Sequence, residues 1–301
     1  MSTTDDGTAG LEPVGGGSLR AVVGRGFGAV PPTALVLLGI VSVQLGSAVA
    51  KHLFGAVGSL GTVALRLSFA AVLLLMLWRP SPRRERRTWV VVVGYGVTLG
   101  LMNLCFYLAL DRIPLGIAVT TEFLGPLAVA LAGARRRLDA FYALLAAGGV
   151  VLLMEGRGDL DLVGFVFALA AGACWGLYIL VGAALGRRTS EGNGLALGMA
   201  VAALVAVPFG AADSGTALLQ PWVLVAGLAV ALLSSVIPYS LDLEALRRMP
   251  PRVFGILMSL EPAMAALVGL LVLQEPLHWS QWIAVLCVVA ASAGATRGAN
   301  E

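Results

Sequence analysis

The chain has 301 residues, 58% of them hydrophobic and only 12% charged, with a net charge of +3. A soluble domain carries about 25% charged residues, and half that share cannot cover a water-facing surface, so an ordinary soluble enzyme is excluded. The basic excess would suggest nucleic acid in a soluble protein, but here the basic residues sit mostly between apolar runs, where they report topology and not a nucleic-acid partner.

Residues 1–30 read as a flexible cytoplasmic tail. They are Gly-rich through Gly28, Asp5, Asp6 and Glu12 oppose a basic leader, and no apolar stretch precedes Pro31. No cleaved signal peptide is expected. From there the apolar residues come in runs of about 17–25, the length that crosses a hydrocarbon core of about 30 Å as a helix. The runs at 89–110 and 195–210 do not alternate, so a membrane β-barrel is rejected. Ten spans are predicted, at 33–50, 57–78, 88–109, 114–133, 138–154, 162–186, 194–212, 221–241, 252–273 and 279–296. The short connections leave no room for a soluble domain.

Charge tests that count. With both termini in the cytoplasm, sixteen of the twenty basic residues fall on the inner side, in groups such as Arg83, Arg84, Arg86 and Arg87, then Arg135, Arg136 and Arg137, then Arg187 and Arg188, then Arg247, Arg248 and Arg252. Lys51, Arg112 and Arg157 fall outside, and Arg66 lies within a span. Losing one span would invert every later loop and destroy the bias. The expected protein is therefore an all-α integral membrane protein, multi-pass, in the plasma or bacterial inner membrane.

An internal repeat strengthens this. Ala109-Leu110-Asp111-Arg112-Ile113-Pro114 matches Ala245-Leu246-Arg247-Arg248-Met249-Pro250 at an offset of 136, and Pro126, Ala130 and Leu131 fall on Pro262, Ala266 and Leu267. Five spans separate the copies, so they lie in opposite orientation. The ten transmembrane helices are expected as two inverted five-helix repeats, 31–155 and 156–297, followed by a cytoplasmic C-terminus at 298–301. Inverted repeats are a common architecture of secondary transporters, with the solute near the midplane between the halves.

Charges inside such spans are costly, about 2.5–3.5 kcal/mol at the centre, and mark function by default. Arg66, Glu122 and Glu261 are the clear cases. Glu122 and Glu261 each lie roughly a third or more of the way across, and each is followed closely by a proline, Pro126 or Pro262, that frees a helical carbonyl. On one reading a glutamate binds a proton and couples it to solute movement, while Arg66 meets a solute carboxylate and a glutamate its ammonium. On the other, Arg66 forms a structural ion pair with a glutamate. Gln44, Asn103, Tyr107, Trp175, Tyr178 and Tyr239 are weaker candidates to line the path, and interhelical hydrogen bonding competes for each. Asp242 and Glu244, beside Arg247 and Arg248, read as interfacial ion pairs. Lys51 and His52 end the first span, where snorkelling accounts for Lys51. The small-residue stripes Ala168/Gly172/Gly176, Gly182/Gly186 and Ala290/Gly294 suit packing within one bundle, with a homodimer as the alternative.

Cys105, Cys174 and Cys287 are scattered through apolar runs and have no metal-ligand spacing. No phosphate-binding loop is present. No metal, cofactor or enzyme activity is expected; a membrane enzyme would need a cluster of ionisable groups at one membrane face, which the short loops do not supply, and a scaffold explains neither the repeat nor the midplane charges.

Several segments resemble a known family. They are Ser42-Val43-Gln44 with Ala50-Lys51-His52-Leu53-Phe54, Ala64-Leu65-Arg66-Leu67, Ile113-Pro114-Leu115-Gly116-Ile117-Ala118-Val119 leading to Glu122-Phe123 and Gly125-Pro126, Gly172-Ala173-Cys174-Trp175, Pro238-Tyr239-Ser240-Leu241 and Met258-Ser259-Leu260-Glu261-Pro262. On these the chain resembles the EamA-type drug/metabolite transporter superfamily, nearest its bacterial threonine/homoserine exporters. The resemblance implies two EamA-like repeats, export of small amino acids such as threonine and homoserine in exchange for protons, and a modest candidacy for Lys51. Efflux of drugs or other metabolites is the alternative within the same fold. Gln274-Glu275 departs from the Gly-Glu that the resemblance suggests at the end of the ninth span.

Overall fold

The computed structural model describes residues 30–298 apart from 82, 84, 133–136, 156–160, 190 and 191. The predicted N-terminal tail before Val30, the residues after Gly298, and Arg84, Arg135, Arg136 and Arg157 of the charge pattern lie outside the described residues. Among the described residues no strand occurs.

The first helix, α1, runs Pro32–Trp78. Straight, 47 residues would reach about 70 Å at 1.5 Å per residue, more than twice a bilayer core. It breaks at Val57 (φ −136°) and Gly58 (φ 63°, ψ 175°). A side chain at Gly58 would be strained by that φ and would meet the Asp213 carboxylate, so glycine suits the bend. The two legs return to the same level: Ser42 of the first and Arg66 of the second bond to consecutive carbonyls, Leu233 and Ser234. The predicted first span at 33–50 is thus too short. Lys51 and His52 lie within the helix, because side-chain charge does not stop a helix and the Gly58 bend does.

The chain continues through α2 (Arg86–Leu110), the short α3 (Leu115–Glu122) and α4 (Leu124–Ala132), then α5 (Arg137–Glu155), α6 (Leu162–Gly186) and α7 (Asn193–Ser214). A 3-10 turn at Gly215–Leu219 leads to α8 (Pro221–Ala231), a π-helical turn at Leu232–Val236 and α9 (Ile237–Arg248). The last helices are α10 (Pro251–Met258), α11 (Glu261–Val272) and α12 (Trp279–Gly298). Among the described residues, six helical stretches are long and apolar enough to cross a membrane, among them α1, α2, α6 and Pro221–Leu246, and three shorter apolar ones accompany them.

Two predicted spans are broken. The one at 114–133 divides at Phe123 and the one at 252–273 at Ser259–Leu260. Each break has a proline four residues beyond the last residue of its first piece: Pro126 cannot donate to Glu122, nor Pro262 to Met258. The freed Glu122 carbonyl lies against α6, where a Cβ on Gly172 would come within 2.6 Å of it. Gly172 and Gly176 therefore serve packing within the bundle.

The distribution of polarity is inverted relative to a soluble protein. Leu204, Val225 and Leu271 are 73%, 70% and 69% exposed, while Arg66, Glu122 and Glu261 are each 7% exposed. Such an apolar exterior suits lipid, and charge inside such a bundle suits a site.

Candidate functional site

A cavity of about 660 Å³ lies within the bundle. Its deep part is walled by Gln44 and Arg66 of α1, Asn103 of α2, Glu122 of α3, Trp175 and Tyr178 of α6, Tyr239 of α9 and Glu261 of α11. Eight of the ten residues singled out in the sequence thus converge from six helices.

Arg66 is fixed by backbone chemistry set by one proline. In the π turn the Ile237 N–H reaches back to the Leu232 carbonyl. Pro238 has no N–H, so it cannot give Ser234 an α-type donor or Leu233 a π-type one. Side chains of α1 take their place. Arg66 Nη2 donates to the Ser234 carbonyl at 3.0 Å, and Ser42 Oγ donates to the Leu233 carbonyl at 2.7 Å. Arg66 Nε also donates to Ser235 Oγ at 3.2 Å and Nη1 to the Tyr107 hydroxyl at 3.3 Å. The guanidinium stands 5.5 Å from the centre of the Tyr107 ring. Three of its five N–H groups are used, and the side chain still lines the cavity.

Tyr107 does not line the cavity; it is fully buried behind Arg66. Asn103 donates to the Leu99 carbonyl of its own helix at 2.9 Å. Tyr178 bonds to Tyr95 at 2.9 Å between hydroxyls, with ring centres 4.8 Å apart. Trp175 meets Phe123, the residue at the break between α3 and α4, edge to face at 5.5 Å. Such stacking holds the broken segment against α6.

Glu122 lines the same cavity as Glu261 and Arg66. Glu261 Oε1 accepts from Gln44 Nε2 at 3.3 Å, while Glu261 Oε2 and Gln44 Oε1 are buried without a hydrogen-bond partner. No Arg66–glutamate ion pair forms among the described residues. A buried carboxylate oxygen and a buried amide oxygen left open toward one cavity are suited to a ligand with N–H donors.

Two acidic residues depart from their sequence reading. Glu244 pairs with Arg248, as expected for an interfacial residue. Asp242 does not follow: it lines the cavity, and its buried Oδ1 has no hydrogen-bond partner. It is three residues on from Tyr239, hence on the same helical face; that spacing was the available signal. Lys51 also departs. Rather than snorkelling, it donates from Nζ to Glu275 Oε1 and to the Ile113 carbonyl, and it does not line the cavity.

The bundle has two chemically different ends. One gathers Val30, Trp78, Arg83, Thr88, Arg188 and Arg248, through contacts such as Arg248 to the Val30 carbonyl and the grouping of Arg83 with Arg188. The other gathers Lys51, Ile113 and Glu275, with Arg112–Asp161 and Ser214–Val57 nearby. Among the described residues, the cavity wall continues from the level of Glu122 toward the first end, along Trp78, Gly186, Thr189, Gly192, Leu246 and Phe254. None of the residues named at the second end lines the cavity. The mouth is therefore at the arginine-rich end.

Comparison with known proteins agrees with this geometry. Residues 162–297 match the EamA-like transporter family. The chain is 44% identical over 271 residues to the threonine/homoserine exporter RhtA of Escherichia coli (strain K12), covering 88% of this chain and 91% of that one. It is 43% identical, with the same coverage, to the threonine/homoserine exporter RhtA of Salmonella typhimurium (strain LT2). A crystal structure of a protein 22% identical in sequence shares the fold, with a TM-score of 0.57 over 88% of this chain and 96% of that one. With its apolar exterior, its membrane-length helices and a relative so similar along nearly its whole length, this chain is a multi-pass membrane protein that belongs to the EamA-like transporter family.

Proposed function

We propose that the chain exports small amino acids, threonine and homoserine among them, across the bacterial inner membrane in exchange for protons. The single observation that carries this is the wall of the cavity: one guanidinium, Arg66, with free N–H groups, and three carboxyls, Glu122, Glu261 and Asp242, two of them with an unpartnered buried oxygen. A zwitterion needs both signs. Its carboxylate suits the remaining Arg66 donors and its ammonium suits the carboxyls, each offering the hydrogen bonds that a buried polar group otherwise lacks. Protons brought to those carboxyls from outside and lost to the cytoplasm would exchange with the ammonium for the same oxygens. The names of the relatives supply the two amino acids.

The same reading holds ten crossings in two inverted repeats, 31–155 and 156–297, with both termini in the cytoplasm. Its support is the offset of 136. That offset carries Leu115–Glu122 onto Pro251–Met258, so α3 and α10 correspond residue for residue, and Pro126 falls on Pro262. The arginine-rich end, and with it the mouth, would then face the cytoplasm.

One observation favours a second reading, efflux of larger metabolites. A cavity of about 660 Å³ lies in the range of roughly 300–1,000 Å³ that holds drug-sized ligands, which leaves an amino acid with room to spare.

The test is counterflow in vesicles with a panel of amino acids at two pH values, repeated with Glu122→Gln and Glu261→Gln. Threonine and homoserine should exchange, and net export should follow an imposed proton gradient and fail in at least one mutant. Exchange of unrelated toxicants alone would move the substrate to the second reading. Export that stays pH-dependent and unchanged in both mutants would remove the glutamates from the mechanism.

A further inference from the structure

The face opposite the mouth is closed by a specific polar device. Lys51, near the far end of the first leg of α1, donates to Glu275 Oε1 and to the Ile113 carbonyl. The other oxygen of Glu275 accepts the Leu115 N–H at 2.8 Å, the first N–H of α3. One carboxylate thus ties three chain segments together: α1, the start of α3, and the turn after α11. Its position is set by backbone. Gln274 adopts the left-handed conformation (φ 55°), and the Glu275 N–H reaches back to the Gly269 carbonyl at 3.0 Å. That reversal ends α11 with a left-handed residue at C′, and it folds the Glu275 side chain back over α3.

The ion pair sits at the top of a continuous stripe. Gln44, Ala48 and Lys51 follow one another at helical spacing on one face of α1. Gln44 meets Glu261 at the cavity and Lys51 meets Glu275 at the closed end, and both glutamates flank α11. Ala48 lies between the two contacts and is completely buried. The seam between α1 and α11 therefore runs from the cavity to the second face with a polar contact at each end. Lys51 and Glu275 are still 22% and 17% exposed, so water can reach the pair and replace its bonds.

We propose that Lys51 and Glu275 form the gate of the closed face, joined while the mouth at the arginine-rich end is open and separated when the seam along Ala48 opens. This rests on the alternating-access reading above but not on the identity of the solute. It gives a role to two residues that otherwise look like a snorkelling lysine and a helix-end acid.

The test uses the full chain in vesicles with Cys105, Cys174 and Cys287 replaced and a single cysteine at one of two places. Ala48→Cys reports the seam, and Thr189→Cys reports the mouth, whose wall includes Thr189. Each is probed with a membrane-impermeant thiol reagent from its own face, without solute. Lys51→Gln, and Glu275→Gln, which keeps an acceptor for Leu115, should each raise the Ala48→Cys rate several-fold and lower the Thr189→Cys rate. Opposite changes mark a shifted equilibrium between two states. A merely structural pair would loosen both places or neither, and either of those outcomes overturns the gate. If the rates shift as expected while threonine and homoserine are not exchanged, the gate stands and the substrate reading fails.

Discussion

Arg66 donates to the Ser234 carbonyl because Pro238, four residues on, has no N–H to give it. The site cation is therefore anchored by a gap in a neighbouring helix, and no carboxylate is consumed in holding it.

Pro238→Ala tests that relationship directly. Alanine restores the N–H, which can close the helical bond to Ser234 and displace Arg66. A hydrogen bond to a charged group is worth about 1.5–3 kcal/mol, so counterflow should fall by roughly ten- to a hundredfold while the protein still folds and inserts. Arg66→Lys should fall at least as far, since an ammonium cannot reach Ser235, Ser234 and Tyr107 together.

Asp242→Asn separates coupling from binding. If this carboxyl carries part of the proton exchange, the mutant keeps amino-acid counterflow at uniform pH but loses net export driven by a pH difference. Glu244→Gln, whose carboxyl pairs with Arg248, should leave that gradient-driven export within about twofold of the parent. Equal behaviour of the two mutants would return Asp242 to the role of an interfacial residue.

Packing at the broken helix predicts a sharp contrast between two glycines. Gly172→Ala places a methyl against the Glu122 backbone, whereas Gly148→Ala meets nothing within 4 Å. Overpacking costs about 1–3 kcal/mol, so Gly172→Ala should lower the melting temperature in detergent and disturb export through Glu122. Gly148→Ala should be neutral or slightly stabilising.

Gln274→Gly should raise thermal stability. A non-glycine residue in the left-handed region costs roughly 1–2 kcal/mol, part of which glycine gives back in backbone entropy. A shift of a few degrees upward in a detergent melt is expected, with the Glu275 contacts retained.

Asp161, before α6, accepts from Val163 and Gly164 and faces Arg112 at 3.3 Å. The Gly164 N–H, ahead of the Arg112 contact, holds its carboxyl below the usual range. A depressed folded-state pKa gives stability that is present above the unfolded value, about 3.9, and lost as pH falls through the folded one. The destabilisation caused by Asp161→Ala should therefore be full at neutral pH and shrink below about pH 4, as read by detergent melts across that range.

The apolar runs located the helices well, since a bilayer demands long uninterrupted hydrophobic stretches. Arg66, Glu122 and Glu261 were legible for the converse reason: a charge inside such a run stands out. Asp242 and Glu275 were not. Each lies near a helix end rich in charges or turn residues, where ion pairing or capping is the default expectation, and only three-dimensional placement distinguishes them. The π turn at Leu232–Val236 was also hidden, because Pro238 marks a weak point without saying which side chain will fill it. The Gly58 bend was missed in favour of Lys51, a charged residue that a helix tolerates.

The two carbonyls released by Pro238 have a mechanical consequence. Ser42, Arg66 and the stretch from Leu232 to Ile237 are pinned at a single level, so a motion that keeps those bonds carries both legs of α1 and the α8–α9 rod as one piece. Any rocking motion then has its sliding plane elsewhere, between that piece and the pair of broken helices that carry Glu122 and Glu261. The cation would ride on one body and the two glutamates on the other, and each stroke would change the distance between opposite charges.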